Sequence, residues 1–172
     1  MAYRIAIAGA GQLGSRYLQG LAFFESPLEI TVFDISKESL GIAKQRYLEC
    51  NNKDHEVVYT TNIEQIPSTL DMVIVATTAD VRPIIVKSIN RISKVKYWIL
   101  EKVVAQSNFE LIEIKNTIES TIPVWVNTPR YLMPLYKNFK ENFAHSRPIK
   151  MTITGVKGLA CNSIHYLSLI HI

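Results

Sequence analysis

Three glycines, Gly9, Gly11 and Gly14, stand between a short apolar run and an amphipathic helical pattern, and nothing else in the chain constrains its fold as much. The run Tyr3-Arg-Ile-Ala-Ile-Ala8 reads as a buried strand. From Gln12 to Phe24 the pattern is helical, with Leu13, Tyr17, Leu18 and Leu21 on one face. A second strand, Glu29-Ile-Thr-Val-Phe33, ends at Asp34. A bare G-x-G-x-x-G is a weak signal. Set between two strands, at the start of a helix and with an acid about twenty residues further on, it becomes a strong one.

That unit is the dinucleotide fingerprint of doubly wound α/β proteins. Gly9 permits the tight turn, Gly11 lets a pyrophosphate approach the backbone, and Gly14 lets the helix pack near the strand. Gln12 and Leu13 open the helix, whose free N–H groups and positive dipole end suit phosphates. Asp34 can accept hydrogen bonds from both ribose hydroxyls, and its charge repels a 2′-phosphate. This favours NAD over NADP, although Ser36 and Lys37 soften the preference. The competing reading is a glycine turn and a helix-capping acid with no ligand.

Further along, Lys37 to about Glu49 is predicted as a helix, Glu56–Thr60 as a third strand and Met72–Ala76 as a fourth. Arg82–Ile92 is a helix with Pro83 in its first turn, and Tyr97–Leu100 a fifth strand. Ser107 and Glu110 form a capping box for a helix to Thr121, stopped by Pro123. Val124–Val126 is a sixth strand and Pro134–Phe143 a further helix. Continuous apolar strands alternating with helices mean a parallel sheet covered on both faces. Ligands of such sheets bind beyond the carboxyl ends of the strands. Those ends carry Gly9–Gly14, Asp34, Thr77–Arg82, Glu101-Lys102 and Asn127–Arg130.

The chain has 172 residues, 48% of them hydrophobic, with a net charge of +4. That is room for one full domain and little more. Cys50 and Cys161 lie far apart, which suggests neither a disulfide framework nor a zinc site, and no other metal site is expected; a reducing cytoplasm is the simplest compartment. No run is long enough to span a bilayer, and no signal peptide precedes the first strand. Basic residues after Pro129 are scattered and lack interleaved aromatics, so no nucleic-acid partner is expected. The character of the sequence changes near Ser146-Arg-Pro148, where Ile149–Thr154 alternates like a half-exposed strand. The expected division is a dinucleotide domain over residues 1–146 and the start of a second domain over 147–172.

In this order, the strand ends resemble the Gfo/Idh/MocA family of nicotinamide-dependent oxidoreductases. Ala76-Thr-Thr-Ala-Asp-Val-Arg82 is similar to the family's Ala-Thr-Pro-Asn segment and following histidine, with Thr78, Ala79 and Arg82 departing from it. Glu101-Lys102 resembles its Glu-Lys-Pro motif with Val103 in place of proline, and Asn127-Thr-Pro-Arg130 its Asn-x-x-Arg region. Gly158–His165 resembles a Gly-rich segment leading to a catalytic histidine, with Cys161 where the family usually has aspartate.

The resemblance implies hydride exchange between the nicotinamide and a sugar, cyclitol or related polyol. It implies a second α/β domain that completes the substrate site and often forms a homo-oligomer interface. Lys102 is the first choice as catalytic group, hydrogen-bonding a substrate hydroxyl; an exposed strand-end lysine is the alternative. Glu101 positions Lys102 or the cofactor. His165 can exchange the alcohol proton, or be an ordinary helix histidine. Arg130 holds substrate or bridges domains, and Thr77 and Thr78 line the cofactor ribose or cap a strand. Tyr17 is assigned to the core, and His55, His145 and His171 receive no role. The rival class is a non-catalytic dinucleotide-sensing module.

Residues 167–172, Leu-Ser-Leu-Ile-His-Ile, spell the translation of a transposase-end sequencing adaptor, CTG-TCT-CTT-ATA-CAC-ATC. The expectation is a chain cut short as its second domain begins, with little or no turnover by itself.

Overall fold

Ile5, Ala6, Ile7 and Ala8 are buried because their strand, β1 (Tyr3–Ala8), lies in the middle of a sheet. The computed structural model describes residues 2–50, 55–143, 152 and 163–165, and the chain divides into two compact units, Met1–Val126 and Asn127–Ile172. In the first, β1 is followed by α1 (Gln12–Leu21), β2 (Leu28–Phe33), α2 (Lys37–Leu48), β3 (Glu56–Thr60) and β4 (Thr69–Val75). Next come α3 (Arg82–Ile92), β5 (Lys94–Glu101), α4 (Asn108–Thr117) and β6 (Val124–Asn127), whose last residue opens the second unit.

The six parallel strands run in the order β3-β2-β1-β4-β5-β6. The order reverses between β1 and β4, with Ile5 beside Met72 and Ala8 beside Val75. This is the doubly wound α/β fold, and the reversal point is where such sheets open a crevice.

Side chains alternate across β1, as a strand requires. Ile5 and Ile7 join Leu18, Leu28, Ile30, Val32, Leu40 and Tyr47 on the α1/α2 face. Ala6 and Ala8 join Val73, Val75, Val86, Ile89, Trp98 and Ile114 on the α3/α4 face. Covering both faces accounts for the unbroken apolar runs.

Four local expectations differ from the structure. α1 ends at Leu21, three residues short of Phe24, and Phe23 and Phe24 are exposed. Leu13 is 47% exposed, because Gly14, Ser15 and Leu18 form the buried face of α1. α4 ends at Thr117, because Ile118 turns to extended backbone and carries its side chain into the core. β6 is exposed along Val124, Trp125 and Val126, as an edge strand rather than a covered one.

His55, given no role from sequence, is buried. Its Nδ1 accepts the Leu28 N–H at 3.3 Å, so its Nε2–H donates to the Leu21 carbonyl at 3.0 Å. The ring thereby fastens the end of α1 to the start of β2.

In the second unit, α5 spans Pro134–Phe143 as the sequence predicts. Most of the alternating stretch Ile149–Thr154 lies outside the described residues, as do Cys161, His145 and His171.

Candidate functional site at the strand ends

Gly9 has φ +95°, and a Cβ there would lie 2.8 Å from the Thr77 nitrogen. Glycine is therefore required both by backbone conformation and by the approach of the β4 end. Gly14 is more restricted still, since its Cβ would lie 1.7 Å from the Gly9 carbonyl oxygen. α1 rests directly on the turn, and only hydrogen fits between them.

Gly11 differs. A Cβ at this position meets no atom of the described residues within 4 Å. Gly20 and Gly41 are equally open, but they lie inside helices, whereas Gly11 is the N-cap of α1. No side chain caps that helix. α2 and α4, by contrast, are capped by the hydroxyls of Ser36 and Ser107. The first-turn N–H groups of α1, from Gln12 and Leu13 onward, thus face an open approach at the positive end of the helix dipole. The packing of the protein does not account for a glycine at position 11. An anion approaching the backbone does, so this loop fits a pyrophosphate.

Asp34 follows β2 and reaches back to the same loop. Its Oδ2 accepts the Ala10 N–H at 2.7 Å and its Oδ1 the Ser36 N–H at 2.8 Å. Asp34 thus caps neither helix, since Ser36 caps α2 and no side chain caps α1; it ties the loop after β1 to the loop after β2. A carboxylate has further lone pairs, so these two bonds and a ribose contact are compatible. Gln12 also holds Arg46 of α2, through its Oε1 at 2.9 Å, and Arg46 donates to Ser15 Oγ.

On the other side of β1, the ends of β4 and β5 carry buried charge. Glu101 is 2% exposed and Arg82 is 1% exposed. Glu101 Oε1 accepts the Tyr17 hydroxyl at 2.6 Å, and its Oε2 accepts the Lys102 N–H at 3.2 Å. Arg82 donates to the carbonyls of Thr77 and Val103 and, at 3.1 Å, to that of Val104. Burial lowers the Arg82 pKa from its ordinary value, and Glu101 pulls it back up. Burial, reinforced by the hydrogen bond and charge of Glu101, holds the Tyr17 phenol far above its usual range. Tyr17 therefore stays a donor.

Thr77 Oγ1 is buried with no hydrogen-bond partner among the described residues. Thr78 bonds to the Asp80 carboxylate, which this contact holds below its usual pKa. Lys102 is half-buried and opens the loop after β5, and its peptide bond to Val103 is cis.

The first unit thus brings together Gly9, Gly11, Gln12, Leu13, Gly14, Asp34, Thr77, Thr78, Glu101 and Lys102 at the carboxyl ends of β1, β2, β4 and β5. Arg130 and His165 belong to the second unit. There Arg130 lies over the Tyr136 ring, 5.9 Å from its centroid, and Nη1 donates to the phenol oxygen at 3.2 Å. His165 is half-buried in a helical turn, residues 163–165.

What sequence reasoning missed are the contacts that Tyr17 and Arg82 make at this site. Tyr17 packs against the α1/α2 core, as the sequence reading has it, but its hydroxyl also meets Glu101, 84 positions away. The departure of Arg82 from the resembled motif was the available signal. Among the described residues no cluster could hold a metal ion, and no helix is long and apolar enough to cross a membrane.

No family model matches the chain, and no curated protein does. Solved structures share its fold. Scyllo-inositol dehydrogenase from Lactobacillus casei, with bound NAD(H) and scyllo-inositol, is 15% identical with a TM-score of 0.73, over 99% of this chain and 56% of that one. An NAD-binding protein from Listeria innocua is 19% identical with a TM-score of 0.72, over 99% and 54%. A super-repressor mutant of Gal80p from Saccharomyces cerevisiae is 16% identical with a TM-score of 0.73, over 99% and 52%. The chain spans about half the length of these proteins, and the likeness is one of fold.

Proposed function

We propose that this chain is the dinucleotide-binding half of a nicotinamide-dependent oxidoreductase of the Gfo/Idh/MocA family, acting on a sugar, cyclitol or related polyol. The observation that carries the reading is Gly11, a glycine that no atom of the described residues requires, at the uncapped start of α1. Two of the solved structures with this fold support it, one described as holding NAD(H) and scyllo-inositol and one as NAD-binding.

Gly9, Gly11, Gln12, Leu13 and Gly14 would cradle the pyrophosphate, and Asp34 the adenosine ribose. Thr77, Thr78 and Glu101 would line the other half of the cofactor. The dinucleotide, when bound, supplies the hydride donor or acceptor. Lys102 Nζ hydrogen-bonds the substrate hydroxyl and, with His165, handles its proton. Arg130 contacts substrate. The whole protein is read as a cytoplasmic homo-oligomer whose remaining half completes the site.

Calorimetric titration of the chain tests the cofactor assignment. NAD binds more tightly than NADP, and Asp34→Ala weakens NAD while narrowing the difference. Equal or tighter binding of NADP by the parent chain would contradict it.

The fold shared with a super-repressor Gal80p favours one second reading, a non-catalytic dinucleotide sensor. Lys102→Ala in the protein with its remaining half separates the two. An enzyme loses about 10²-fold or more in kcat, whereas a sensor has no turnover to lose.

A further inference from the structure

After Glu101 the chain leaves the sheet, and it enters no regular element until Asn108. Lys102 lies in this connection, so something other than a strand ladder must fix it. At the far end, Glu110 Oε2 accepts the N–H groups of Gln106 and Ser107. In the middle, Arg82 holds the carbonyls of Val103 and Val104, and the same guanidinium binds the Thr77 carbonyl after β4. At the near end, Tyr17 holds the Glu101 carboxylate, which in turn accepts the Lys102 N–H.

Tyr17 is one helical turn beyond Gly14 and shares its face, the face that rests on the glycine turn. The helix that opens at the candidate pyrophosphate site therefore also grips the residue preceding Lys102. Arg82 spans the loops after β4 and β5 on the other side. One buried cation, one buried anion and a phenol that stays protonated make up the whole device. Both Nη groups of Arg82, the Glu101 carboxylate and the Tyr17 hydroxyl have partners, whereas Arg82 Nε has none among the described residues.

We propose that Tyr17 and Arg82 act as a clamp that sets the Glu101-Lys102 segment against the nicotinamide half of a bound dinucleotide, leaving the ADP-ribose half to the glycine loop and Asp34. Both are positioning residues. The proposal rests on the dinucleotide reading above and assigns the two halves of the cofactor to two different supports.

ADP-ribose, which lacks nicotinamide, separates the halves. The chain and its Tyr17→Phe and Arg82→Lys variants are titrated by calorimetry with NAD⁺ and with ADP-ribose, and their melting is followed by circular dichroism. The parent binds both ligands, NAD⁺ more tightly. Tyr17→Phe keeps the fold and its ADP-ribose affinity, but loses about fivefold or more in NAD⁺ affinity. Arg82→Lys behaves likewise where it folds. A purely structural contribution would lower the affinity for both ligands together, and that result overturns the clamp. Unchanged NAD⁺ affinity in Tyr17→Phe overturns it as well. A parent chain that binds neither ligand overturns the dinucleotide reading, and the clamp falls with it.

Discussion

The two sides of the sheet's reversal point are built from different materials. On the β1/β2 side, backbone does the work: Gly9 and Gly14 bring a helix onto a turn, and one carboxylate fastens two N–H groups. On the β4/β5 side, side chains do it. A guanidinium and a carboxylate, both almost fully buried, hold loops that have no ladder of their own. The first arrangement is intolerant of added volume. The second is intolerant of lost charge.

Volume should give the largest effect. Gly14→Ala places a methyl group 1.7 Å from the Gly9 carbonyl oxygen, where no rotamer relieves it. α1 must lift from the sheet, and stability should fall by roughly 3 kcal/mol or more in urea denaturation. Gly11→Ala is the control, since its added Cβ meets no atom of the described residues within 4 Å. It should melt close to the parent while losing about tenfold or more in dinucleotide affinity by calorimetry. Equal destabilisation by the two substitutions would erase the distinction between a glycine demanded by packing and one left open for a ligand.

Charge comes next. Arg82→Met removes the buried charge whose field reaches Glu101 and takes the donor away from the carbonyls of Thr77, Val103 and Val104, a loss of about 3 kcal/mol. Removing both charges, with Arg82→Met and Glu101→Gln together, should recover part of that loss, because no uncompensated charge remains. A double-mutant cycle in urea measures the coupling. Strict additivity would mean that the two groups are independent, and that the carbonyl bonds of Arg82 alone explain its burial.

The same contrast explains what could be read from sequence. Glycine spacing encodes local backbone geometry, so Gly9, Gly11, Gly14 and the strand–turn–helix unit were legible within a short window. The capping box of Ser107 and Glu110 is equally local, and it forms as the residues predict. The pairing of Tyr17 with Glu101 joins residues 84 positions apart. Only the strand order brings them together, and no periodicity on α1 distinguishes a tyrosine in the core from one whose hydroxyl reaches a buried acid. β6 shows a related limit. Its apolar run looked like a covered strand, because an edge and a centre have similar composition. The end of α4 was set by Ile118 turning into the core, a tertiary event that Pro123 does not announce.

The smallest effect should come from the amino ends of the strands, where charge is exposed rather than buried. Asp71 accepts the Arg4 N–H at 2.9 Å and a hydrogen bond from Lys96 Nζ at 2.8 Å. The hydrogen bond from Lys96, then that from Arg4, hold its carboxyl below the ordinary value of 3.8. A carboxyl lowered by folding stabilises the folded state above its unfolded-state pKa, and that contribution disappears as pH falls through the folded-state value. Asp71→Asn should therefore lower Tm at neutral pH by no more than about 3 °C, because solvent and salt screen the pair. The gap between Asp71→Asn and the parent should begin to close as pH falls through 3.8 and vanish below the folded-state pKa. It should also shrink in high salt. Thermal melts across that acid range check the sign. An effect as large and as salt-insensitive as that of Arg82→Met would mean that exposed and buried charge contribute alike in this protein, and the contrast between the two ends of the sheet would fail.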